Sequence, residues 1–282
     1  MSERDPYVPG GANGPPEGSA LITGAARGIG NAIATRFASR GLGLCLVDRD
    51  PQALAAAAEH LRPLALAVEV TCADVTAPHE VARAFDVAAA IGPVRAVAHC
   101  AGLSPTLAPA ADIFRVNFRG TRIVLDEAEK RMPSGGAIVV IASLAGHMAG
   151  PAWRRAVGDP TVEDAEGRIA GLTDEPDLAY GISKLAVIEL VRRRATAFGR
   201  RAIRVNTISP NITNTPMGRS EIAGHAIIHD MVRAAAIPRV AEPEEIAAVA
   251  DFLTGPGASY VTGTDLLVDG GCLACLGFDP FA

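Results

Sequence analysis

Short runs of β-forming residues alternate with helical stretches along most of this 282-residue chain. Seven runs are predicted strands, at 20–23, 44–47, 64–70, 94–99, 137–142, 203–208 and 266–269. The predicted helices between them cover 28–40, 51–61, 78–91, 109–132, 178–199 and 243–254. Strands that alternate with helices form βαβ units, in which parallel strands are buried between two helical layers. The pattern predicts an α/β fold with a doubly wound, parallel, seven-stranded sheet whose strands are all buried.

One folded domain accounts for this length. The chain is 49% hydrophobic and 20% charged, which supplies one sizeable core and excludes a disordered chain. We assign residues 19–282 to this domain and residues 1–18, rich in proline and glycine, to a disordered lead-in. The lead-in lacks the apolar stretch of a secretory signal. Two segments interrupt the alternation, an insertion at about 146–176 and a segment at about 211–240 that we interpret as a substrate loop.

Charge and cysteine content indicate which partners to expect. The net charge is −5 with no basic block, which argues against nucleic acid or an anionic membrane as the main partner. No apolar run approaches the roughly 20 residues of a membrane-spanning helix. The cysteines are scattered and odd in number, a pattern typical of a reducing compartment: Cys45, Cys72, Cys100, Cys272 and Cys275. We therefore expect a cytoplasmic protein that binds a small molecule.

The first predicted strand runs into a glycine-rich turn that opens the first helix. It reads Thr23-Gly24-Ala25-Ala26-Arg27-Gly28-Ile29-Gly30. Glycines let such a turn tighten and let the backbone approach a pyrophosphate, whose charge then lies at the helix N-terminus. An ordinary tight turn is the alternative, which the position after the first strand disfavours. The turn predicts a dinucleotide site.

Asp48 ends the second predicted strand, 18 residues beyond Gly30. A carboxylate at this point accepts hydrogen bonds from the hydroxyl groups of an adenosine ribose and repels a 2′-phosphate, which favours NAD. Arg27 and Arg49 stand close enough in sequence to pair with such a phosphate, so NADP stays open.

Tyr180 and Lys184 lie at i and i+4 near the start of a predicted helix, and therefore on one helical face. A neighbouring ammonium favours the phenolate and lowers the pKa of a tyrosine. Such a tyrosine can exchange a proton with a carbinol or carbonyl oxygen near neutral pH. A chance surface pair is the alternative for this spacing taken alone.

Several separate motifs in the chain occur in the order found in a known superfamily. They are Thr23-Gly24-x-x-x-Gly28-x-Gly30, Asp74, Ala101-Gly102, Asn117, Ser143, Tyr180-x-x-x-Lys184, Asn206 and Asp269-Gly270-Gly271. Over residues 19–271 the chain resembles the short-chain dehydrogenase/reductase superfamily, in its single-domain branch. The resemblance implies a Rossmann-like fold and hydride transfer between a nicotinamide and a secondary alcohol or ketone.

The resemblance also implies roles for individual residues. Tyr180 is the acid/base, and Lys184 lowers its pKa and holds the nicotinamide ribose. Ser143 orients the reacting oxygen, Asn117 supports a water-mediated proton relay, and Asp74 contacts the adenine. The complete expected cofactor site is Thr23, Gly24, Arg27, Gly28, Ile29, Gly30, Asp48, Arg49, Asp74, Val75, Ala101, Gly102, Tyr180, Lys184, Pro210, Ile212 and Thr213. Thr215 is an alternative to Thr213 for the carboxamide.

The chain departs from the superfamily pattern at two turns. His99-Cys100-Ala101-Gly102 stands where Asn-Asn-Ala-Gly is usual, so a side-chain amide that braces the central sheet is missing. Pro210-Asn211 stands where Pro-Gly is usual. Asparagine tolerates unusual backbone angles better than most residues, so this turn can survive.

Ser143 and Tyr180 are 37 positions apart, and the insertion lies between them. This lengthening and the segments Cys100-Ala101-Gly102-Leu103 and Arg204-Val205-Asn206-Thr207-Ile208 give a looser resemblance to the bacterial 3α-hydroxysteroid dehydrogenase/carbonyl reductase subgroup. The insertion either caps the substrate pocket or remodels the oligomer face near the Tyr180 helix. Its charges suggest a solvated helical excursion. A homodimer or homotetramer is implied by the superfamily.

The substrate loop carries apolar residues that suggest an apolar, cyclic or steroid-like substrate: Ile212, Met217, Ile222, Ile227, Ile228 and Met231. His225 and His229 have a zinc-compatible spacing without a third ligand nearby, and we predict no metal site. His147 either faces the pocket or is an ordinary loop histidine. A non-redox epimerase or dehydratase and a dinucleotide-sensing protein are the alternative functions, which the joint presence of Asn117, Ser143, Tyr180 and Lys184 disfavours.

Overall fold

The computed structural model describes residues 17–277. Most of the predicted lead-in and the last five residues lie outside the described part of the chain. No helix within 17–277 combines the length and the apolar composition that crossing a membrane requires.

Seven parallel strands form one sheet in the order β3-β2-β1-β4-β5-β6-β7. Their bounds are β1 Ser19–Thr23, β2 Gly43–Asp48, β3 Val68–Cys72, β4 Val94–His99, β5 Ala137–Ile141, β6 Arg204–Pro210 and β7 Asp265–Val268. The strand order reverses between β1 and β4, where the connections turn to opposite faces and leave a crevice at the carboxyl ends. The predicted doubly wound, Rossmann-like sheet is confirmed.

Thirteen α-helices within the described residues surround the sheet. They are α1 Gly28–Ser39, α2 Pro51–Leu61, α3 Pro78–Ile91, α4 Ala110–Ile113, α5 Gly120–Arg131, α6 Leu144–Met148, α7 Gly150–Val157, α8 Ala165–Ala170, α9 Pro176–Gly199, α10 Pro216–Gly224, α11 Ala226–Ala234, α12 Pro243–Thr254 and α13 Cys272–Leu276. A π-helical segment, Phe114–Arg119, joins α4 to α5.

Two apolar layers pack on the two faces of the sheet. One contains α1, α2 and α12, with Ile33, Phe37 and Leu253 fully or almost fully buried. The other contains α3, α5 and α9, with Phe85 and Phe198. Burying each such side chain contributes about 1.5–3 kcal/mol relative to leaving it exposed. These layers hold the strand ends that carry the site.

The edge strands differ from the sequence prediction that all strands are buried. β3 begins at Val68 rather than at 64, because Leu64 and Leu66 are exposed residues of the preceding connection. Val70 in β3 and Leu266 in β7 are also exposed, since both strands form edges of the sheet and have a neighbour on one side only.

The insertion packs beside the sheet, and Met148 is its one residue in the lining of the cavity at the strand ends. Helix α7 contacts α9, and α8 contacts both α9 and the π-helical segment. Arg154 of α7 is half-buried and pairs with Glu189 of α9. The apolar residues Val157, Ala165 and Ile169 are fully buried in the same layer as α9, so the expected solvated helical excursion packs one side into the core.

Candidate active site and cofactor cleft

One cavity of about 830 Å³ extends along the carboxyl ends of the strands. One end is lined by the glycine-rich turn and Asp48, and the other by the start of α6, α9 and the helices α10 and α11. Most of the expected cofactor residues line it: Gly24, Arg27, Gly28, Ile29, Gly30, Asp48, Arg49, Asp74, Val75, Ala101, Gly102, Tyr180, Lys184, Pro210, Ile212 and Thr213. Thr215 lines it as well, so the structure does not choose between Thr213 and Thr215.

Two glycines let the glycine-rich turn pack closely against neighbouring backbone. Gly24 has a φ of +64°, and a Cβ there would lie 2.8 Å from the backbone nitrogen of Ala101. A Cβ on Gly30 would lie 2.2 Å from the carbonyl oxygen of Gly24. The first turn of α1 has no side-chain cap and no acidic residue. Its backbone N–H groups are therefore available to an anion, which fits the pyrophosphate of a dinucleotide.

Asp48 is fixed at the end of β2 by two backbone hydrogen bonds. Oδ2 accepts from the N–H of Ala26 at 3.2 Å, and Oδ1 accepts from the N–H of Asp50 at 3.1 Å. Arg27 forms an ion pair with Asp50 at the surface. Arg49 is exposed beside them. A carboxylate thus faces the ribose end of the cleft, with one of the two nearby arginines already paired.

Thr23 lies behind the cavity and does not line it. Its hydroxyl contacts His99 Nδ1 at 2.7 Å and accepts the backbone N–H groups of Cys100 at 3.1 Å and Ala101 at 3.3 Å. The imidazole of His99 therefore takes the place of the bracing amide that the sequence lacks. Burial lowers the pKa of His99 to about 3, with a further contribution from the charge of Lys184, so the ring is neutral.

Asn117 lies in the π-helical segment, also behind the cavity. Its Oδ1 accepts from the N–H of Leu103 at 2.8 Å, and its Nδ2 donates to the carbonyl oxygen of Leu103 at 3.0 Å and to Ser183 Oγ at 3.1 Å. π-Helical turns within longer helices are frequent at functional sites. Here the turn aims Asn117 at the loop after β4 and fixes Gly102 beside the Tyr180 helix. Sequence periodicity predicted one unbroken helix over 109–132, because the π-helical segment is short and continues directly into α-helix at both ends.

Ser143, Tyr180 and Lys184 meet at the centre of the cleft. Ser143 caps α6, where its Oγ accepts from the N–H of Ala145 at 3.2 Å. Lys184 Nζ donates to the carbonyl oxygen of Ile141 at 2.9 Å and lies 5.8 Å from the centre of the Tyr180 ring. A Cβ on Gly102 would lie 3.5 Å from Lys184 Nζ. The glycine therefore leaves the ammonium group open to the cavity.

The pKa of Tyr180 is raised, whereas the sequence predicts that it is lowered by Lys184. Burial raises the pKa of the phenol, the Ser143 hydrogen bond lowers it, and the negative charge of Glu221 raises it. Burial also lowers the pKa of Lys184 to about 8, against a smaller upward contribution from Cys100. The phenol is consequently held in its proton-donating form at neutral pH.

The rest of the cavity is mainly apolar. Its lining includes Leu103, Leu107, Leu144, Met148, Ile212, Met217, Ile227, Ile228 and Met231. Five of the six apolar residues singled out in the substrate loop line it, and Ile222 does not. His147 does not line it either, since its Nε2 contacts Asp265 Oδ2 at 2.7 Å behind α6. Within residues 17–277 no group of three or more potential ligands forms a metal site.

Sequence reasoning missed Glu221 and Asp177, which also line the cavity. Asp177 lies in α9, one turn before Tyr180, and Glu221 lies in α10, which carries no recognised motif. The signal that could have found Glu221 is a single acidic residue within the otherwise apolar face of the substrate loop.

The family model described as short chain dehydrogenase matches residues 19–155, and the model described as Enoyl-(Acyl carrier protein) reductase matches residues 168–272. A short-chain dehydrogenase/reductase, bsc3, from Alternaria brassicicola is 34% identical over 93% of this chain and 98% of its own length. The chain belongs to the short-chain dehydrogenase/reductase family. A D-threitol dehydrogenase from Mycolicibacterium smegmatis is 33% identical over 89% of this chain and 91% of its own length.

Solved structures of the family share the fold of this chain. A short-chain dehydrogenase from Burkholderia cenocepacia in complex with NADP superposes with a TM-score of 0.74 at 26% identity, over 92% of this chain and 99% of that one. As a member of this family, the protein is an NAD(P)-dependent oxidoreductase that acts on alcohol and ketone groups.

The resemblance to the hydroxysteroid subgroup is weaker than the family match. A 3-alpha-hydroxysteroid dehydrogenase/carbonyl reductase from Comamonas testosteroni is 35% identical, over only 61% of this chain and 70% of its own length. These matches assign the family but not the substrate.

Proposed function

We propose that this enzyme reversibly transfers a hydride between NAD and a secondary alcohol or ketone of an apolar, cyclic or steroid-like substrate. The observation that carries the proposal is the junction at Tyr180. Tyr180, Ser143 and Lys184 line the same cavity as the apolar residues of α6, α10 and α11. A carbonyl group held at this junction meets a proton donor and a hydride donor at once.

When bound, the nicotinamide supplies or accepts the hydride at the carbon that reacts. In reduction, Tyr180 transfers its phenolic proton to the carbonyl oxygen as that carbon gains the hydride, so that the product is a neutral alcohol. The Ser143 hydroxyl donates a hydrogen bond that orients the same oxygen. The Lys184 ammonium binds the nicotinamide ribose and stabilises the phenolate left behind, and Asn117 holds the loop that bears Gly102.

Other residues along the cleft have proposed roles in binding the rest of the cofactor. The turn from Gly24 to Gly30 binds the pyrophosphate, Asp48 accepts the adenosine ribose hydroxyls, and Asp74 with Val75 contacts the adenine. Pro210, Ile212 and Thr213 flank the nicotinamide. Preference for NAD over NADP is supported by the carboxylate of Asp48 and by the pairing of Arg27 with Asp50.

The proposal includes a cytoplasmic homodimer or homotetramer. Unpaired thiols at all five cysteines suit a reducing compartment. Exposed Phe252 in α12 and Leu266 in the edge strand β7 suit a surface that a second subunit covers. Light scattering coupled to size-exclusion chromatography measures the number of subunits.

The test combines cofactor titration with turnover. Purified protein is titrated with NADH and NADPH, and the oxidation of each is then followed with cyclic ketones and steroidal ketones. The reverse reaction is followed with cyclic alcohols and with D-threitol. We expect tighter NADH binding and turnover of the cyclic compounds that Tyr180→Phe lowers by about 1000-fold or more. Tyr260→Phe, at a fully exposed tyrosine, is the matched control.

Three results would contradict the proposal. Better turnover of D-threitol than of any cyclic alcohol would exclude the apolar substrate class. Conversion of a substrate without consumption of NADH or NAD would indicate an epimerase or dehydratase. Tight NADH binding without any conversion would indicate a dinucleotide sensor.

A further inference from the structure

The arginines that line the cleft lie at one of its ends. Arg27, Arg49 and Arg115 lie toward β1, β2 and β3, at the adenosine end, where Asp48, Asp50 and Asp74 offset their charge. The end enclosed by α10 and α11 is lined by Asp177, Glu221 and His225, and among its described residues by no lysine or arginine beyond Lys184. A substrate that reaches Tyr180 through this end moves past the negative charges of Asp177 and Glu221.

Glu221 is held in a defined orientation in α10. Its Oε1 accepts from the hydroxyl of Thr106 at 2.5 Å and from the backbone N–H of the same residue at 3.3 Å. Its Oε2 lies 3.9 Å from His225 Nε2, beyond hydrogen-bond distance. Within residues 17–277 no donor forms a hydrogen bond with Oε2. One carboxylate oxygen is thus fixed and the other is available to a ligand.

The carboxylate is largely shielded from water. The Glu221 side chain is 12% exposed, among apolar lining residues that include Met217 and Met231. A charge-assisted hydrogen bond is stronger than one between neutral groups. A ligand that brings an N–H or O–H group to Oε2, in this mainly apolar part of the cavity, gains such a bond.

The charge of Glu221 also affects the pKa of the catalytic phenol of Tyr180. After burial, which raises the pKa of Tyr180 most, the charge of Glu221 raises it further. The carboxylate therefore lies within electrostatic reach of the reacting centre, and its field acts on any charged group that the substrate carries.

We propose that Glu221 is a specificity-determining residue that selects carbonyl substrates bearing a hydrogen-bond donor, an ammonium group above all, away from the reacting carbon. The same charge excludes carboxylate and phosphate-bearing carbonyl compounds. This proposal rests on the proposed reaction at Tyr180 and adds to it the polar end of the substrate.

A purely structural role for Glu221 is the alternative, since its contact with Thr106 also joins α10 to the loop after β4. Glu221→Gln separates the two roles. The glutamine oxygen still accepts from Thr106, so the joint persists, while the negative charge is lost. Glu59→Gln removes an equal charge at an exposed position on α2, outside the cavity, and is the matched control.

The experiment uses the full-length enzyme saturated with NADH and three ketones of similar size. They are 4-methylcyclohexanone, 4-aminomethylcyclohexanone and 4-oxocyclohexanecarboxylate, which are neutral, cationic and anionic at neutral pH. We expect kcat/KM to favour the cation over the anion by about 100-fold, and Glu221→Gln to reduce this ratio by about 10-fold or more while Glu59→Gln leaves it unchanged. Calorimetric affinities of the three compounds for the NADH complex are expected in the same order.

Two outcomes overturn the specificity proposal. They are a ratio near one in the unmodified enzyme, and an unchanged ratio in Glu221→Gln. If the neutral ketone is reduced and one of these two outcomes is observed, the proposed reaction at Tyr180 is supported and the proposed role of Glu221 in specificity is excluded. If none of the three is reduced, the turnover arm counts against the proposed reaction, and the calorimetric order still decides for or against Glu221.

Discussion

His99 Nδ1 lies 2.7 Å from Thr23 Oγ1, and this contact joins the carboxyl ends of β4 and β1. Because the Thr23 hydroxyl already accepts two backbone N–H groups, its own proton is directed at Nδ1. The imidazole is then an acceptor at Nδ1 and carries its proton on Nε2, which is buried without a partner among the described residues. A protonated ring would lose the Thr23 contact.

This arrangement makes stability depend on pH below the ordinary pKa of histidine. The folded-state pKa of His99 is about 3, lowered chiefly by burial, whereas the ordinary pKa of histidine is 6.5, so the unfolded chain binds more protons between these limits. Unfolding free energy is therefore expected to fall as the solution becomes more acidic than about pH 6.5, by about 2 kcal/mol at about pH 5.

The matched variant is His99→Asn, whose amide oxygen still accepts from Thr23 and does not titrate. We expect it to lose about 2 kcal/mol less than the unmodified protein between about pH 7 and about pH 5. Urea unfolding at the two pH values measures the difference. Equal acid sensitivity of the two proteins would contradict the role of His99.

The fold was largely predictable because hydrophobic periodicity reports local structure directly. Strands such as β4 and helices such as α3 lie at their predicted bounds, since turns and prolines mark both ends. β3 was misplaced because exposed apolar residues such as Leu64 resemble strand residues when their neighbours in space are unknown. Burial of an edge strand depends on strand order, which local periodicity does not contain.

The site was predictable where a motif brings its residues together in sequence, as in Tyr180-x-x-x-Lys184. It was not predictable where function depends on contacts between distant segments. His99 was recognised as a departure, but its compensating contact with Thr23 needed the pairing of β1 with β4. Glu221 acts through its distance from Tyr180 in space, and the chain between them gives no sign of that distance.

The raised pKa of Tyr180 predicts different pH profiles for the two directions of the reaction. Burial, and then the charge of Glu221, favour the protonated phenol, so ketone reduction is expected to be flat between about pH 6 and about pH 7, below the pKa of Lys184 of about 8. Alcohol oxidation needs the phenolate and is expected to rise with pH over the same range.

Glu221→Gln removes a negative charge and stabilises the phenolate. The rise in oxidation rate is therefore expected to move to lower pH. The profile of kcat/KM against pH for a neutral cyclic alcohol measures the shift, with Glu59→Gln as the control. A shift to higher pH would mean that Glu221 does not act on Tyr180 through its charge.

Asp48 predicts the outcome of a cofactor-preference experiment. Replacing its carboxylate by the hydroxyl of Asp48→Ser removes the repulsion of a 2′-phosphate and an acceptor for the ribose hydroxyls. The ratio of kcat/KM for NADPH to that for NADH is expected to rise by about 10-fold or more. This ratio is independent of how much of the variant is folded, so lost hydrogen bonds to Ala26 and Asp50 do not obscure it.

Asp50→Asn extends the same test to Arg27. The variant releases Arg27 from its ion pair and is expected to shift preference toward NADPH as well. If the double variant Asp48→Ser/Asp50→Asn still preferred NADH as strongly as the unmodified enzyme, the discrimination would lie outside this turn.

The insertion is anchored by Arg154 of α7, whose Nη1 lies 2.5 Å from Glu189 Oε1 in α9. The Glu189 side chain is 10% exposed and the Arg154 side chain 36%. Because removing only the arginine leaves a shielded carboxylate without its cation, Arg154→Met is expected to lower the unfolding free energy by about 2 kcal/mol. Replacing both partners, as in Arg154→Met/Glu189→Leu, removes the uncompensated charge and is expected to recover most of that loss.

Urea unfolding of the single and double variants tests this coupling. A double variant less stable than Arg154→Met would show that the pair does not act through the buried charge. Since α7 does not line the cleft, kcat/KM for a cyclic ketone is expected to stay within about 2-fold of the unmodified enzyme at a temperature where the variant is folded. A larger loss of activity would mean that the insertion positions the Tyr180 helix as well as stabilising it.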